Sequence, residues 1–378
     1  MNPASESELA ETVASATGPF AVIGGGTRRF GSMPDSERLS TRRLDGIRIY
    51  EPGALTLVAS AGTPAEDVAA LLAENGQRLA FEPMDYRAIL GTAGTPTIGG
   101  IAATNSSGPR RIQAGACRDN MLGIRFVNGE GKILKNGGRV MKNVTGYDLV
   151  RLLAGSHGTL GILTEVAFKV LPMPESAASL AIRRLDSVSA VKSLSAALGS
   201  PFGVSGAAHL PGWKGEEAST IIRIEGFGES VKYRAGKLRD LLRGYGDIDV
   251  EFDQERVDAT WRSIRDAERF SASVGDIWRI SVKPSDAPGI VEKAAGLERA
   301  DAMFDWGGGL VWMLVPEGTP LRDLLGDFSG HATLVRASPE TSSRVRTFQP
   351  LPPAHAGIAS ALRRQFDPRG ILNPGLMC

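Results

Sequence analysis

Apolar and polar positions follow one rhythm in the first half of the chain and another in the second. In the first half, short apolar runs end in turn residues. Phe-Ala-Val-Ile at 20–23 runs directly into Gly24-Gly25-Gly26 and reads as a strand closed by a tight turn. Residues 47–50 and 55–59 read as strands paired across Pro52-Gly53. A helix start follows: Thr63 is the expected N-cap, Pro64 the first helical residue, and Glu66 completes a capping box. Val68, Leu71 and Leu72 give this helix one apolar face, and Asn75-Gly76 ends it. Residues 79–81 read as a short strand. From Gly91 to Pro109 neither period is present, which predicts a long loop. Residues 121–127 and 132–134 predict a hairpin around Asn128-Gly129 and Glu130-Gly131. A short helix at 148–153 and a long apolar strand at 160–171 come next, and the strand stops at Pro172 and Pro174.

Beyond that Pro-x-Pro the alternation is more regular. Strands at 180–182, 219–224, 248–252, 277–282 and 310–314 alternate with helices at 188–198, 230–242, 256–267 and 287–295. No internal repeat is visible in the residues. A helix at 354–366 precedes the tail DPRGILNPGLMC. The pattern predicts an α+β chain in three parts: a domain over 1–172, an α+β domain over 175–350, and a C-terminal helix and tail over 351–378.

Composition narrows the function classes. Lys+Arg is 43 and Asp+Glu is 42, so nucleic acid is not the expected partner. No run approaches the roughly 18 apolar residues of a transmembrane segment. The first residues carry Glu6, Glu8 and Glu11 and no basic stretch, unlike a secretory signal. Two cysteines, Cys117 and Cys378, supply no disulfide framework and no iron–sulfur or zinc ligand set. A reducing cytoplasm is the simplest compartment, with peripheral attachment to the inner membrane through partner subunits left open. The unusual number is 46 glycines, about 12% of the chain against an average near 7%. They cluster at 24–26, 91–100 and 155–161, where strands end and backbone could approach a phosphate or a flat ring. Gly24-Gly25-Gly26-Thr27 is neither a Walker loop nor a Rossmann fingerprint, and alone it could be a plain turn.

Five segments in order carry a resemblance: GGGT, PTIGGIAATNSSGP, GACRDNMLGI, NVTGYDL and GSHGTLGILTE. Together they resemble the FAD-binding domain of the vanillyl-alcohol oxidase / p-cresol methylhydroxylase (PCMH) superfamily. The tail FDPRGILNPG at 366–375 is similar to that superfamily's C-terminal return to the flavin. The resemblance spans about 18–172 and 360–376. The short length and Phe304-Asp305-Trp306-Gly307-Gly308-Gly309 bring the chain nearer to the FAD-binding subunits of bacterial glycolate oxidases. The resemblance implies a two-subdomain PCMH-type FAD-binding domain, an α+β cap, and a tail that returns to the FAD domain. It implies that Gly24, Gly25, Gly26 and Thr27 hold the pyrophosphate. Pro83, Thr97, Gly99, Gly100, Thr104 and Asn105 would line the phosphates and isoalloxazine. Arg118 and Asp119 would lie near the flavin or ribityl chain, Gly161 and Ile162 near the adenosine half, and Asn373 would close over the flavin. The GGGTRRF loop has no His or Cys, and Cys117 follows the TIGG loop, so non-covalent FAD is implied.

The resemblance also implies a complex. It would oxidise glycolate, a small 2-hydroxy acid, to glyoxylate and pass electrons to an iron–sulfur subunit, with a second flavoprotein subunit alongside. A self-sufficient FAD-dependent 2-hydroxyacid dehydrogenase and a flavin-free scaffold remain as alternatives. Related dehydrogenases carry a His-x-Gly-Asp-Gly-Asn-x-His metal motif. Here the histidines are His157, His209, His331 and His355, with no two spaced as a metal pair, so no metal is expected. Oxidising a 2-hydroxy acid needs a base and a cation for the carboxylate. Arg279, Trp306 and Arg336 are the candidates in the second domain. Arg110-Arg111 could steer an anion, and Lys237, Arg239 and Arg243 lie on a helix face expected to be solvated.

Overall fold

The computed structural model describes residues 1–28, 36–139, 146–213 and 215–377. Arg29 and Phe30 of the first glycine loop, Asn143 to Thr145 of NVTGYDL, and Cys378 lie outside them. The chain divides into two compact units. One comprises Met1–Ser107, Gly115–Met173 and Pro350–Cys378; the other comprises Gly108–Ala114 and Pro174–Gln349. The seven residues Gly108–Ala114 therefore belong with the second unit, although they sit inside the first stretch of sequence.

The first unit is built on a five-stranded antiparallel sheet. Its order is Ile47–Glu51, Thr56–Ser60, Ile162–Lys169, Met121–Val127, Ile133–Gly137. The Asn128 carboxamide oxygen accepts the Glu130 and Lys132 amides at 3.1 and 2.9 Å, which closes the last hairpin. The helices Ala65–Glu74, Ile98–Ala103 and Leu149–Leu153 cover one face around the fully buried Phe81, Phe126 and Phe168. Burying such side chains contributes about 1.5–3 kcal/mol each. A second, smaller core gathers Leu9, Val13, Phe20, Leu39 and Leu372. There Phe20–Ile23 pairs in parallel with Glu37–Ser40, and Leu372 from the tail bridges to Phe20.

Three local expectations are corrected in this unit. The helix start uses no capping box: Pro64 is the N-cap, and Thr63 Oγ1 instead exchanges hydrogen bonds with the Gly46 backbone. The strand expected at 79–81 lies earlier, at Gln77–Arg78, where it pairs with Leu171–Pro172. The long loop from 91 contains the helix Ile98–Ala103, whose Ile98, Ile101 and Ala102 enter the core. The period of a six-residue helix with two glycines is too short to register in sequence.

The second unit is an eight-stranded sheet with two βαββαβ halves. The first half orders its strands Ile248–Glu251, Ser176–Arg183, Ser219–Gly226, Val204–Leu210; the second continues Asp301–Asp305, Leu310–Val315, Asp276–Val282, Gly330–Arg336. Each half has the ferredoxin-like connectivity, with Ser187–Leu198 and Gly228–Leu242 as helices of the first, and Ala287–Lys293 and Leu321–Leu325 as helices of the second. They meet where His209 pairs with Phe304. The repeat is one of topology and leaves no repeated residues. Val204–Leu210 and Asp301–Asp305 are strands without a sequence signal, because Gly-Ala-Ala and Asp-Ala-Met-Phe-Asp lack β-branched alternation.

Candidate functional site

A cleft of about 440 Å³ opens in the first unit at the end of Phe20–Ile23. This is within the usual range for small-molecule sites, roughly 300–1,000 Å³. Gly24, Gly25, Gly26 and Thr27 form one wall. Gly26 has φ +76°, a conformation glycine adopts without a Cβ penalty. Among the described residues, no protein acceptor takes the N–H groups of these four consecutive residues. Sheltered N–H groups are almost always paired. Four in a row facing a cleft therefore fit an anionic group such as a pyrophosphate.

The helix Ile98–Ala103 forms a second wall, and its glycines divide the work. The Gly99 amide donates to Ala61 O at 2.8 Å, and a Cβ on Gly99 would lie 2.6 Å from Ala61 Cβ. Gly99 thus serves packing onto the Ala61 backbone. Thr97 caps the helix by accepting the Gly100 amide at 3.3 Å, and the Ile98 amide goes to Thr63 O. The first amides of this helix are engaged within the protein. At Gly100 a Cβ would meet only Thr97 Oγ1, at 3.2 Å, so this position opens to the cleft. Gly25 is different: a Cβ there would overlap the Thr95 carbonyl oxygen, because the 94–97 backbone lies directly on the glycine loop.

Side chains complete the enclosure. Asn373 is buried with φ +46°, a left-handed conformation that asparagine tolerates. Its Oδ1 accepts the Val22 amide at 2.7 Å, and its Nδ2 donates to His157 O at 2.8 Å. Its carboxamide therefore ties the glycine-loop strand to the 155–161 turn. His157 lines the cleft with φ +52°; burial, and then the charge of Arg28, push its pKa down to about 4. It is neutral at pH 7. Arg28 had no role from sequence although it directly follows Thr27. It donates to Thr104 Oγ1 at 3.0 Å and Met84 O at 2.8 Å, stacks on Tyr86, and places a guanidinium in the cleft wall.

Of the residues expected at the cofactor, Gly24 to Thr27, Thr97, Gly99, Gly100, Thr104, Gly161, Ile162 and Asn373 line this cleft. Pro83, Asn105, Arg118 and Asp119 do not. Asn105 accepts the Arg118 amide at 2.9 Å, and Asp119 accepts the Ala116 amide at 2.9 Å, so this group organises the turn around Cys117. Cys117 is itself buried in the core, where desolvation pushes its thiol pKa up. In the second unit, Arg336 donates to the carbonyls of Phe270, Ser271 and Ser273 and is spent on that turn. Arg279 and Trp306 lie together, 5.0 Å from guanidinium carbon to ring centroid. Among the described residues, no cluster of three or more His, Cys, Asp or Glu could hold a metal ion.

Comparisons with known proteins now bear on this cleft. A family profile described as an FAD binding domain matches residues 1–137, which include most of its walls. The glycolate oxidase subunit GlcE of Escherichia coli is 35% identical over 363 residues, covering 95% of this chain and 92% of that protein. The chain belongs to the GlcE family of glycolate oxidase subunits. It is an FAD-binding flavoprotein of an oxidoreductase family acting on CH–OH groups. The glycolate oxidase subunit GlcD of Bacillus subtilis is similar over a shorter stretch, 46% identical over 84 residues, which is 22% of this chain and 18% of that one. Among solved structures, an alkyldihydroxyacetonephosphate synthase matches with a TM-score of 0.72 at 16% identity, covering all of this chain and 77% of that one. That likeness supports the PCMH-type fold. No helix among the described residues is long and apolar enough to cross a membrane.

Proposed function

We propose that this chain is the FAD-binding subunit of a glycolate oxidase-type complex that converts glycolate to glyoxylate and passes the electrons to an iron–sulfur subunit. The observation that carries the reading is the row of four N–H groups at Gly24 to Thr27 that no acceptor takes among the described residues, in a cleft walled by small residues. That donor row suits a pyrophosphate, and Arg28 offsets its charge from the adjoining wall. Gly100, Thr104, Gly161 and Ile162 would present backbone and small side chains to the rest of the cofactor. Asn373 and His157 hold the two sides of the cleft in register. Bound FAD supplies a two-electron acceptor for the hydroxyl carbon of the substrate. The names of the two glycolate oxidase subunit relatives support a multi-subunit assembly, in which a GlcD-type flavoprotein would be a second component.

The test begins with the purified chain. A yellow protein that releases FAD on acid denaturation supports the cofactor assignment, and a colourless one that cannot be reconstituted overturns it. Anaerobic glycolate added to the isolated yellow protein then separates two cases. Bleaching only after partner subunits are added supports the complex. Bleaching of the isolated chain would instead make it a self-sufficient dehydrogenase.

A further inference from the structure

The cleft holds side-chain donors beyond those the resemblance implies. The strand Glu37–Ser40 lies beside Phe20–Ile23 in parallel register, with Arg38 opposite Ala21 and Ser40 opposite Ile23. Leu39 is fully buried in the smaller core. With the two-residue period of a strand, Ser36 and Arg38 take the other face. Both line the cleft, as does Thr41 just past the strand end. One strand of the pair thus leads into the backbone donors at Gly24 to Thr27, and its neighbour adds side-chain donors.

Among the described residues, none of these three side chains has a protein partner. Thr41 is 6% exposed, yet its Oγ1 makes no hydrogen bond. A Cβ on Gly24 would lie 3.9 Å from Thr41 Oγ1 and 2.5 Å from Thr97 Oγ1, so two hydroxyls flank the first glycine of the donor row. Ser36 Oγ is buried without a partner. The Arg38 side chain is exposed and makes no ion pair, hydrogen bond or ring contact. Sheltered hydroxyls almost always find partners. Orphans beside an open row of N–H groups therefore fit an anionic ligand that extends from the loop back toward Ala21. The wall continues in that direction: a Cβ on Gly158 would lie 3.8 Å from Val22 Cβ, and Ile162 shares the small core with Val22. At about 3.3 Å per residue, Ala21 and its neighbour Arg38 stand about 10 Å behind Gly24. That is beyond a diphosphate seated on the loop but within reach of a nucleoside attached to it.

We propose that Arg38, Thr41 and Ser36 bind the AMP half of FAD: Thr41 and Ser36 offer hydroxyls to the diphosphate and ribose, and Arg38 covers the adenine. The choice of AMP rests on the FAD reading above; the three unpartnered side chains stand without it. Because Arg38 is exposed, the ring it covers borders solvent. That suits a ring that only anchors, since a ring that receives electrons needs water excluded. A guanidinium stacks well on a flat π-face. These residues would make the chain select FAD over FMN, which lacks the AMP half.

Fluorescence titration of the full-length chain, stripped of flavin and reloaded with FAD, tests this without turnover, with ADP as competitor. Arg38→Met should weaken FAD and ADP alike, by about five- to tenfold, with the melting temperature of the flavin-free chain unchanged. Arg38→Lys should recover only part of the loss. Thr41→Val, nearly isosteric, should weaken both ligands about tenfold or more. Should Thr41→Val melt early, the exposed Arg38 carries the test alone. Wild-type FAD affinity in Arg38→Met overturns the proposal. So does a loss of FAD affinity with ADP unaffected, which would put these side chains at the flavin half. FAD that ADP cannot displace sinks the proposal and leaves the FAD reading standing. ADP bound through Arg38 by a chain that never takes up FAD would do the reverse, keeping the nucleotide site and removing the flavin.

Discussion

Gly100→Ala separates cofactor contact from folding. In the structure, a Cβ at Gly100 meets only Thr97 Oγ1, at 3.2 Å, which a shift of a few tenths of an ångström relieves. Gly100 lies inside the helix Ile98–Ala103, where alanine is more favourable than glycine by about 0.5–1 kcal/mol. The variant should therefore fold as well as the wild type, with a melting temperature unchanged or raised by up to about 4 °C. The added methyl nevertheless points into the cleft. If FAD lies against this backbone, its affinity should fall at least tenfold, about 1.4 kcal/mol. Circular dichroism melts measure the first effect, and flavin absorbance after gel filtration at graded FAD concentrations measures the second. Gly25→Ala is the contrast: its Cβ collides with the Thr95 carbonyl, so stability and flavin should be lost together. Wild-type FAD affinity in Gly100→Ala would refute the placement of the cofactor on this helix.

Other consequences follow from single contacts. Asn373→Ala removes the acceptor of the Val22 amide and a donor to the His157 carbonyl, and puts alanine at φ +46°; both partners are half-buried, so the cost should be about 2–3 kcal/mol, read as an earlier thermal melt with partial flavin loss. An unchanged melt would mean the clamp is dispensable. Arg110→Met removes one half of an ion pair whose side chains are 4% and 7% exposed and takes from Glu225 one of the cations it meets, Arg223 being another at 3.5 Å; urea unfolding of the second unit should lose about 3–5 kcal/mol, and an unchanged midpoint would refute this. Burial, and then the charge of Arg269, push the His209 pKa down to about 4. Between pH 6.5 and 4 the unfolded chain binds a proton that folded His209 refuses, so stability falls as pH falls, by up to about 1.4 kcal/mol per pH unit. His209→Gln should flatten that acid limb in melts recorded across this range, and an identical slope would count against a buried neutral imidazole.

The residues alone carried much of the first unit. Its apolar runs, the Asn128-Gly129 hairpin and the ordered glycine segments are local signals, because turn chemistry and strand alternation act over a few neighbouring positions. The same locality explains what sequence could not supply. Whether a glycine faces a ligand or another backbone depends on a segment distant in sequence: Gly25 makes room for the Thr95 carbonyl, Gly99 for Ala61, and Gly100 for the cleft. Asn373 could be placed near the cofactor by resemblance, but its carboxamide turned out to bridge Val22 and His157. The paired βαββαβ halves were invisible because a topological repeat leaves no repeated residues. Arg279 was nameable as a candidate, yet nothing in the sequence joined it to Arg111, 168 positions earlier, across one indole ring. Sequence determined which segments could be strands, turns and small-residue loops. Tertiary structure decided which amides remained unclaimed and which charges shared a face, since both depend on contacts between distant parts of the chain.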